Sequence, residues 1–179
     1  MNLSNESVLH LKKGNIEYLQ FRKLLEFKEI NHAYVLKPNN MNFKRYIYES
    51  TEKQNQALEK YKEVCETLNF NYDKLATPVQ EHSANVVNVE KAEDNILNTF
   101  NAYKHADGLI TNKIKTPIVS TNADCILIMV YDPVNKVIAN IHSGWRGTQQ
   151  KIIQNRNKAN AVNTQHKTGK YNLLHMPEY

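Results

Sequence analysis

The chain has 179 residues, 41% of them apolar and 23% charged, which is enough for a folded body with a real core. Its net charge of +5 sits mostly at the end: residues 1–148 carry 18 Lys and Arg against 17 Asp and Glu, whereas Lys151, Arg156, Lys158, Lys167 and Lys170 face only Glu178 beyond them. A nearly neutral body argues against a nucleic-acid partner, and no apolar run approaches the roughly 18–20 residues that span a bilayer, so no membrane partner is expected either. The first 15 residues are polar and broken by Lys12, Lys13 and Gly14, unlike a signal peptide. Two cysteines, Cys65 and Cys125, make no disulfide framework. A cytoplasmic location is the expectation.

The pattern predicts a hairpin first, with Val8–Leu11 and Ile16–Phe21 joined by a Lys12-Lys13-Gly14-Asn15 turn. A short strand at 32–36 stops before Pro38, and Phe43–Tyr48 reads as another. Thr51–Leu68 is the clearest helix. Thr51 with Gln54 fits a capping box, Leu58, Tyr61, Val64, Cys65 and Leu68 form one apolar stripe, and Asn69 is a reasonable stop. Cys65, lying in that stripe, reads as a small buried hydrophobe. Thr77–Val89 reads as one strand or two short ones, and Lys91–Lys104 is ambiguous. Ala106–Thr111 is a turn leading into a strand, Thr116–Ser120 is another strand, and Gln149–Gln154 begins a helix. From Asn155 the segment is polar and without period, so residues 154–179 are expected to form a poorly ordered basic tail behind a domain at 1–153.

The chain is organised around Thr121–Thr148. Ile126–Tyr131 is nearly all apolar, as for a strand buried on both faces. Asp132-Pro133-Val134-Asn135 has turn chemistry, and Val137–Ile141 returns. A turn centred between Pro133 and Val134 places Cys125 opposite His142. A three-residue loop with Asn135 left-handed instead shifts the register by one and turns the two side chains to opposite faces. Either register leaves a thiol and an imidazole at one end of a hairpin, beside a Gly144/Gly147 turn that carries Trp145 and Arg146.

His82, Cys125 and His142 are the candidate metal ligands. Thiolate and imidazole suit zinc or copper, and three protein ligands leave a fourth position open, as in catalytic zinc sites. Spacings of 43 and 17 residues match no compact zinc finger. The competing reading is a core cysteine with two hydrogen-bonded histidines. A third makes Cys125 a nucleophile with His142 as its base, in a hydrolase or amidase without metal. Asp124 could orient an imidazole or a water, or simply cap a strand. Arg146 between two glycines could grip a phosphate in a two-pronged contact, or be a surface arginine. Trp145 could stack on a base or belong to the core.

Four motifs in order carry a resemblance: Gln80-x-His82, Asp107-Gly108-Leu109-Ile110-Thr111, Thr121-x-Ala123-Asp124-Cys125, and His142-x-Gly144-Trp145-Arg146-Gly147-Thr148. The chain resembles the laccase-domain family over about residues 1–153, a family once called multicopper polyphenol oxidases and now treated chiefly as purine nucleoside phosphorylases. The resemblance implies one α/β domain, an α+β mixed sheet with flanking helices, and a catalytic zinc on His82, Cys125 and His142. It also implies phosphorolysis of adenosine or inosine, with side activities as an adenosine deaminase and on methylthioadenosine. Purine nucleosides and phosphate are then the expected partners. Two departures stand out. The family's T-R-x-G-G-x-S-type loop is replaced by Tyr34-Val35-Leu36-Lys37-Pro38-Asn39-Asn40, and the polar tail follows where members continue past W-R-G-T. On this resemblance the chain reads as a shortened member, incomplete at its C-terminus, and an inactive remnant is a further alternative.

Overall fold

The computed structural model describes residues 2–36, 50–90 and 102–155, together with the backbone of 172–175. The strand expected at Phe43–Tyr48, most of the ambiguous Lys91–Lys104 stretch, the Lys37–Asn40 part of the departing loop, and tail residues 156–171 and 176–179 lie outside the described residues. The contacts divide the chain into two compact units, Met1–Tyr72 and Asp73–Tyr179.

In the first unit, β1 (Val8–Lys13) and β2 (Ile16–Phe21) form the expected hairpin. Lys13 pairs with Ile16, so the loop is the two residues Gly14 and Asn15. Gly14 has φ +58°, the left-handed backbone that a tight hairpin needs at its first central position. β3 (Tyr34–Val35) adds an antiparallel third strand to β2.

Helix α1 (Thr51–Leu68) follows. Its cap lies one residue earlier than the sequence suggests: the Ser50 side chain accepts from Lys53 N–H, and Thr51 is already helical. Asn69 ends the helix with φ 61°, and Phe70 N–H reaches back to the Cys65 carbonyl at 2.8 Å. The stripe is real but begins one residue earlier. Ala57, Tyr61, Val64, Cys65 and Leu68 are buried, while Leu58 is only half-buried. Val64 and Leu68 pack with Ile16 of β2, and Tyr18, Val35 and Phe70 close around them. Burial pushes the Cys65 thiol up to about 11, as an inert core residue requires.

The second unit is a five-stranded mixed sheet ordered β4-β5-β7-β6-β8. It comprises β4 (Val86–Asn88), β5 (Gly108–Thr111), β6 (Ile126–Asp132), β7 (Val137–Ser143) and β8 (Asn172–His175). β4 runs parallel to β5, and the remaining pairs are antiparallel. Alternating residues feed two cores. Ile110, Ile128, Val130, Ala139 and Ile141 pack with Ile152, while Leu109 joins Ala76, Val89, Tyr103 and Ala106. β6 buries residues of both parities, as its apolar run predicts. Thr116–Ser120 is not a strand of the sheet; it makes a single bridge, Ile118 to Ala76. Thr77–Asn85 is irregular, and only Val86–Asn88 of the expected 77–89 strand pairs as one. The helix after the hairpin starts earlier than expected, as α2 (Trp145–Gln149), and after a turn at 150–151 residues 152–155 are helical, largely within the expected stretch. Of the expected tail, Asn172–His175 lies along β6.

The β6–β7 turn differs from both registers considered. Asp132 pairs with Val137, so the loop has four residues, and the left-handed one is Lys136 (φ 53°) rather than Asn135. Asp132 Oδ1 accepts from Val134 N–H and Asn135 N–H, which makes the four-residue loop stable. Leu127 therefore faces His142, and Cys125 lies just beyond the paired strand. The register is two residues from a Cys125–His142 pairing. An even slip preserves the face, so Cys125 and His142 still point the same way.

Candidate metal centre

Three separate segments deliver the three candidate ligands. His142 is near the end of β7 and is buried. Cys125, half-buried, immediately precedes β6. His82 lies in the irregular 77–85 segment with φ 61°, in the left-handed region that few non-glycine residues adopt. The donor atoms of all three lie within 4.8 Å of one another, and they are the only such cluster among the described residues. Cys125 Sγ is 3.6 Å from His82 Nε2. The two imidazoles meet edge to face, with centroids 5.0 Å apart.

The glycines of the H-x-G-W-R-G motif make this approach possible. A Cβ on Gly144 would overlap the His82 ring, and one on Gly147 would lie 2.8 Å from the Ser83 carbonyl oxygen. The 82–83 backbone thus rests directly on the turn after β7. Gln80 brings the third segment in: its amide accepts from Thr121 N–H at 2.7 Å and donates to the Thr121 carbonyl. The Asn122 amide then donates to the Cys125 carbonyl at 2.7 Å.

Beneath the cluster is Asp107, wholly buried at 0% exposure. Its carboxylate accepts from the backbone N–H groups of Glu81, His82 and Ser83, from the Ser83 hydroxyl, and from His142 Nδ1 at 2.9 Å. Burial works to raise this acid. The hydrogen bonds from His142, Ser83 and Glu81 outweigh it and hold the carboxyl at about 2. An ionised carboxylate can only accept, so His142 Nδ1 is the donor, and in the neutral ring this leaves the lone pair on Nε2.

The donor set fits a metal ion. A tetrahedral ion at ordinary zinc–nitrogen and zinc–sulfur lengths separates those donors by about 3.6 Å, which is the distance observed between Cys125 Sγ and His82 Nε2. His82 is exposed, which leaves one side of the cluster open.

Over residues 37–174 the sequence matches the family described as multi-copper polyphenol oxidoreductase laccase. The chain belongs to that family. It is similar to a purine nucleoside phosphorylase of Clostridium acetobutylicum, 28% identical over 78% of this chain and 53% of that one. A purine nucleoside phosphorylase of Rickettsia conorii is likewise 28% identical, over 81% of this chain and 51% of the relative. Among solved structures, Bacillus licheniformis YfiH superposes with a TM-score of 0.58 at 19% identity, covering 86% of this chain and 55% of that one. The chain spans about half the length of these relatives.

In this laccase-family chain the remaining candidates sit around the cluster in different ways. Asp124 is exposed, and its carboxylate accepts from the Cys125 thiol at 3.6 Å. Burial first, then the charge of Asp124, pushes the Cys125 thiol up. That is the wrong direction for a metal-free nucleophile, whereas a cation among these ligands opposes the shift. Arg146 is exposed, with its guanidinium 4.9 Å from the centre of the Trp145 ring. Trp145 itself is 68% exposed and not a core residue. The sequence reading assigned no role to Asp107 or Gln80, although both stand in its motifs. The available signal was an acid at the entrance of an otherwise apolar strand, where only a local polar demand justifies its burial.

Proposed function

We propose that His82, Cys125 and His142 hold a catalytic zinc ion and that the chain acts in phosphorolysis of purine nucleosides, adenosine or inosine, to free base and ribose 1-phosphate. Adenosine deamination and methylthioadenosine phosphorolysis are the proposed side activities. The observation that carries this reading is the convergence of one sulfur and two imidazoles from three segments, open on the His82 side. Curated relatives named purine nucleoside phosphorylases support the substrate class. Zinc is preferred over copper because three protein ligands with an open fourth position are the pattern of catalytic zinc sites.

Such an ion supplies Lewis acidity and a more acidic water. The chain's own residues do the rest. His142 presents Nε2 because Asp107 occupies Nδ1. Asp124, beside the sulfur, is placed to accept a proton at its carboxylate. Arg146 offers a guanidinium for phosphate or substrate, and the exposed Trp145 ring beside it offers a surface for a purine ring. With its two free cysteines the chain suits a reducing compartment, which supports a cytoplasmic location. Among the described residues no helix is long and apolar enough to cross a membrane.

The test is incubation with adenosine or inosine, with and without phosphate, followed by chromatography of the products and metal analysis of the protein. Free base and ribose 1-phosphate that appear only with phosphate, together with zinc bound to the chain, are the expected result. Unchanged nucleoside under every condition removes catalysis from the proposal. Bound copper with oxygen uptake on phenols overturns the choice of metal.

A further inference from the structure

We infer that Asp107 is the positioning residue of the centre: one buried carboxylate sets both histidines for metal binding, His142 through its ring and His82 through its backbone. The inference rests on the metal reading above.

The two arms differ in kind. Towards β7, Asp107 Oδ1 accepts from His142 Nδ1 at 2.9 Å, and the Asp107 carbonyl accepts from His142 N–H at 2.7 Å. The ring contact selects the tautomer with a free Nε2 and fixes the ring's rotation. Towards the loop, the same carboxylate accepts from three successive N–H groups, Glu81 at 3.2 Å, His82 at 2.9 Å and Ser83 at 2.6 Å, and from the Ser83 hydroxyl at 2.6 Å. These bonds hold the left-handed backbone at His82, which places its ring against Gly144. A purely structural role, pinning an irregular loop, accounts for the loop arm. It does not require the ring of His142, a ligand on another strand, to share the same oxygen atom with His82 N–H. Sharing that atom locks the spacing between the two ligands.

Asp107→Asn separates these roles because it keeps the shape and changes the donors. With the amide oxygen at the Oδ1 position, His142 Nδ1 and His82 N–H keep their acceptor while the NH2 meets the Glu81 and Ser83 N–H donors; with the amide reversed, the NH2 meets His142 Nδ1 and His82 N–H. If the NH2 faces His142 Nδ1, the imidazole moves its proton to Nε2 and blocks the metal-binding lone pair.

The experiment uses the full chain loaded with Zn(II) or Co(II). Asp107→Asn is expected to weaken Zn(II) binding by about 10–100-fold, the usual effect of losing a ligand's outer partner. Its Co(II) spectrum should keep the thiolate band, because Cys125 remains, while the ligand-field bands shift as an imidazole changes. Ser83→Ala, which removes the hydroxyl's contacts with Asp107, the His105 carbonyl and Asn85 N–H but leaves the three backbone N–H bonds and the His142 bond to Asp107, should hold Zn(II) to within about threefold of the parent chain. A folded Asp107→Asn protein with parental affinity and a parental Co(II) spectrum overturns the inference. A parent chain that binds neither ion shows instead that the metal reading beneath it has failed. If Asp107→Asn does not fold, 15N NMR of the metal-free parent decides: His142 protonated at Nδ1 supports the role, and protonation at Nε2 overturns it.

Discussion

Each compact unit buries a histidine, and the two use their ring nitrogens in opposite ways. In the first unit, His32 is 8% exposed, and its Nε2 accepts from Phe21 N–H at 2.8 Å. In the second, His142 is 3% exposed, and its Nδ1 donates to Asp107. His32 thereby uses its lone pair inside the fold, at the end of β2. His142 uses its proton and keeps its lone pair for the cluster. Burial alone therefore does not mark a ligand; what binds the other ring nitrogen does. The electrostatics follow. His32 has no carboxylate among its described partners, and burial lowers its pKa to about 4.

The sharpest way to test this contrast is to remove a ligand from one unit and a core thiol from the other. Cys125→Ala is expected to abolish tight Zn(II) binding, a larger loss than the about 10–100-fold set by an outer partner. The melting of metal-free protein should change little, because the thiol is half-buried and its removal leaves no cavity in the sheet. Cys65→Ala should do the reverse, costing about 1 kcal/mol of stability with no change in metal affinity. Isothermal titration of Zn(II) and chemical denaturation of both variants check the pair. Equal loss of Zn(II) in both would show that the sulfur at Cys125 has no special role.

Glycines allow the same comparison. Gly144→Ala drives a Cβ into the His82 ring, so the ring, the turn or both must move. The expected cost is about 1–3 kcal/mol, with weaker Zn(II) binding. Gly14→Ala meets nothing within 4 Å and pays only for its left-handed φ, about 1 kcal/mol. Zn(II) affinity should fall in the first variant alone. Parental affinity in Gly144→Ala would mean that His82 does not need its observed position.

What could be read from the sequence follows the same division. The hairpin, α1 and β6 were legible because each is governed by local chemistry: a two-residue glycine turn, an apolar stripe at helical spacing and a run of buried apolar residues. The three residues that cluster, His82, Cys125 and His142, were legible as residue types in motifs. The register that brings Cys125 and His142 to one face was not. It depends on Lys136 adopting a left-handed φ in a four-residue loop, a choice of turn that proline and asparagine at the preceding positions do not dictate. Asp107 was hidden for a different reason. Its partners, residues 81–83 and His142, are distant in sequence, and a carboxylate that collects backbone N–H groups leaves no pattern in residue types. Trp145 was ambiguous because aromatic residues serve cores and ligand surfaces alike; only its 68% exposure separates the two.

Acid should expose the difference between the two histidines' units. The folded pKa of His32 lies below its unfolded value of 6.5, at about 4, so between those values the unfolded chain binds the extra proton. The contribution is fully present above about pH 6.5 and is lost as pH falls towards 4. From pH 7 to 5 the first unit should lose about 2 kcal/mol. Far-UV circular dichroism follows that unit through the 18-residue α1, the longest helix among the described residues. The fluorescence of Trp145, the chain's single tryptophan, follows the second. A urea midpoint that drops at pH 5 by circular dichroism in the parent, but not in His32→Gln, assigns the loss to this ring. No drop in the parent would show that His32 takes up its proton without cost.

The smallest expected effect concerns the cap of α1. Ser50 Oγ accepts from Lys53 N–H at 3.2 Å, one of the four N-terminal donors that the helix cannot satisfy internally. Ser50→Ala should cost about 1 kcal/mol, and Thr51→Ala appreciably less, since Thr51 is already inside the helix. The sequence pattern Thr51-x-x-Gln54 predicts the opposite order, so the two variants decide between the pattern and the geometry. Neither should alter Zn(II) affinity. The cap stabilises a helix in Met1–Tyr72, and all three proposed ligands and Asp107 lie in Asp73–Tyr179. A Zn(II) affinity that follows the Ser50→Ala loss would show that the two units are energetically coupled, which would end the separation between a structural and a chemical histidine.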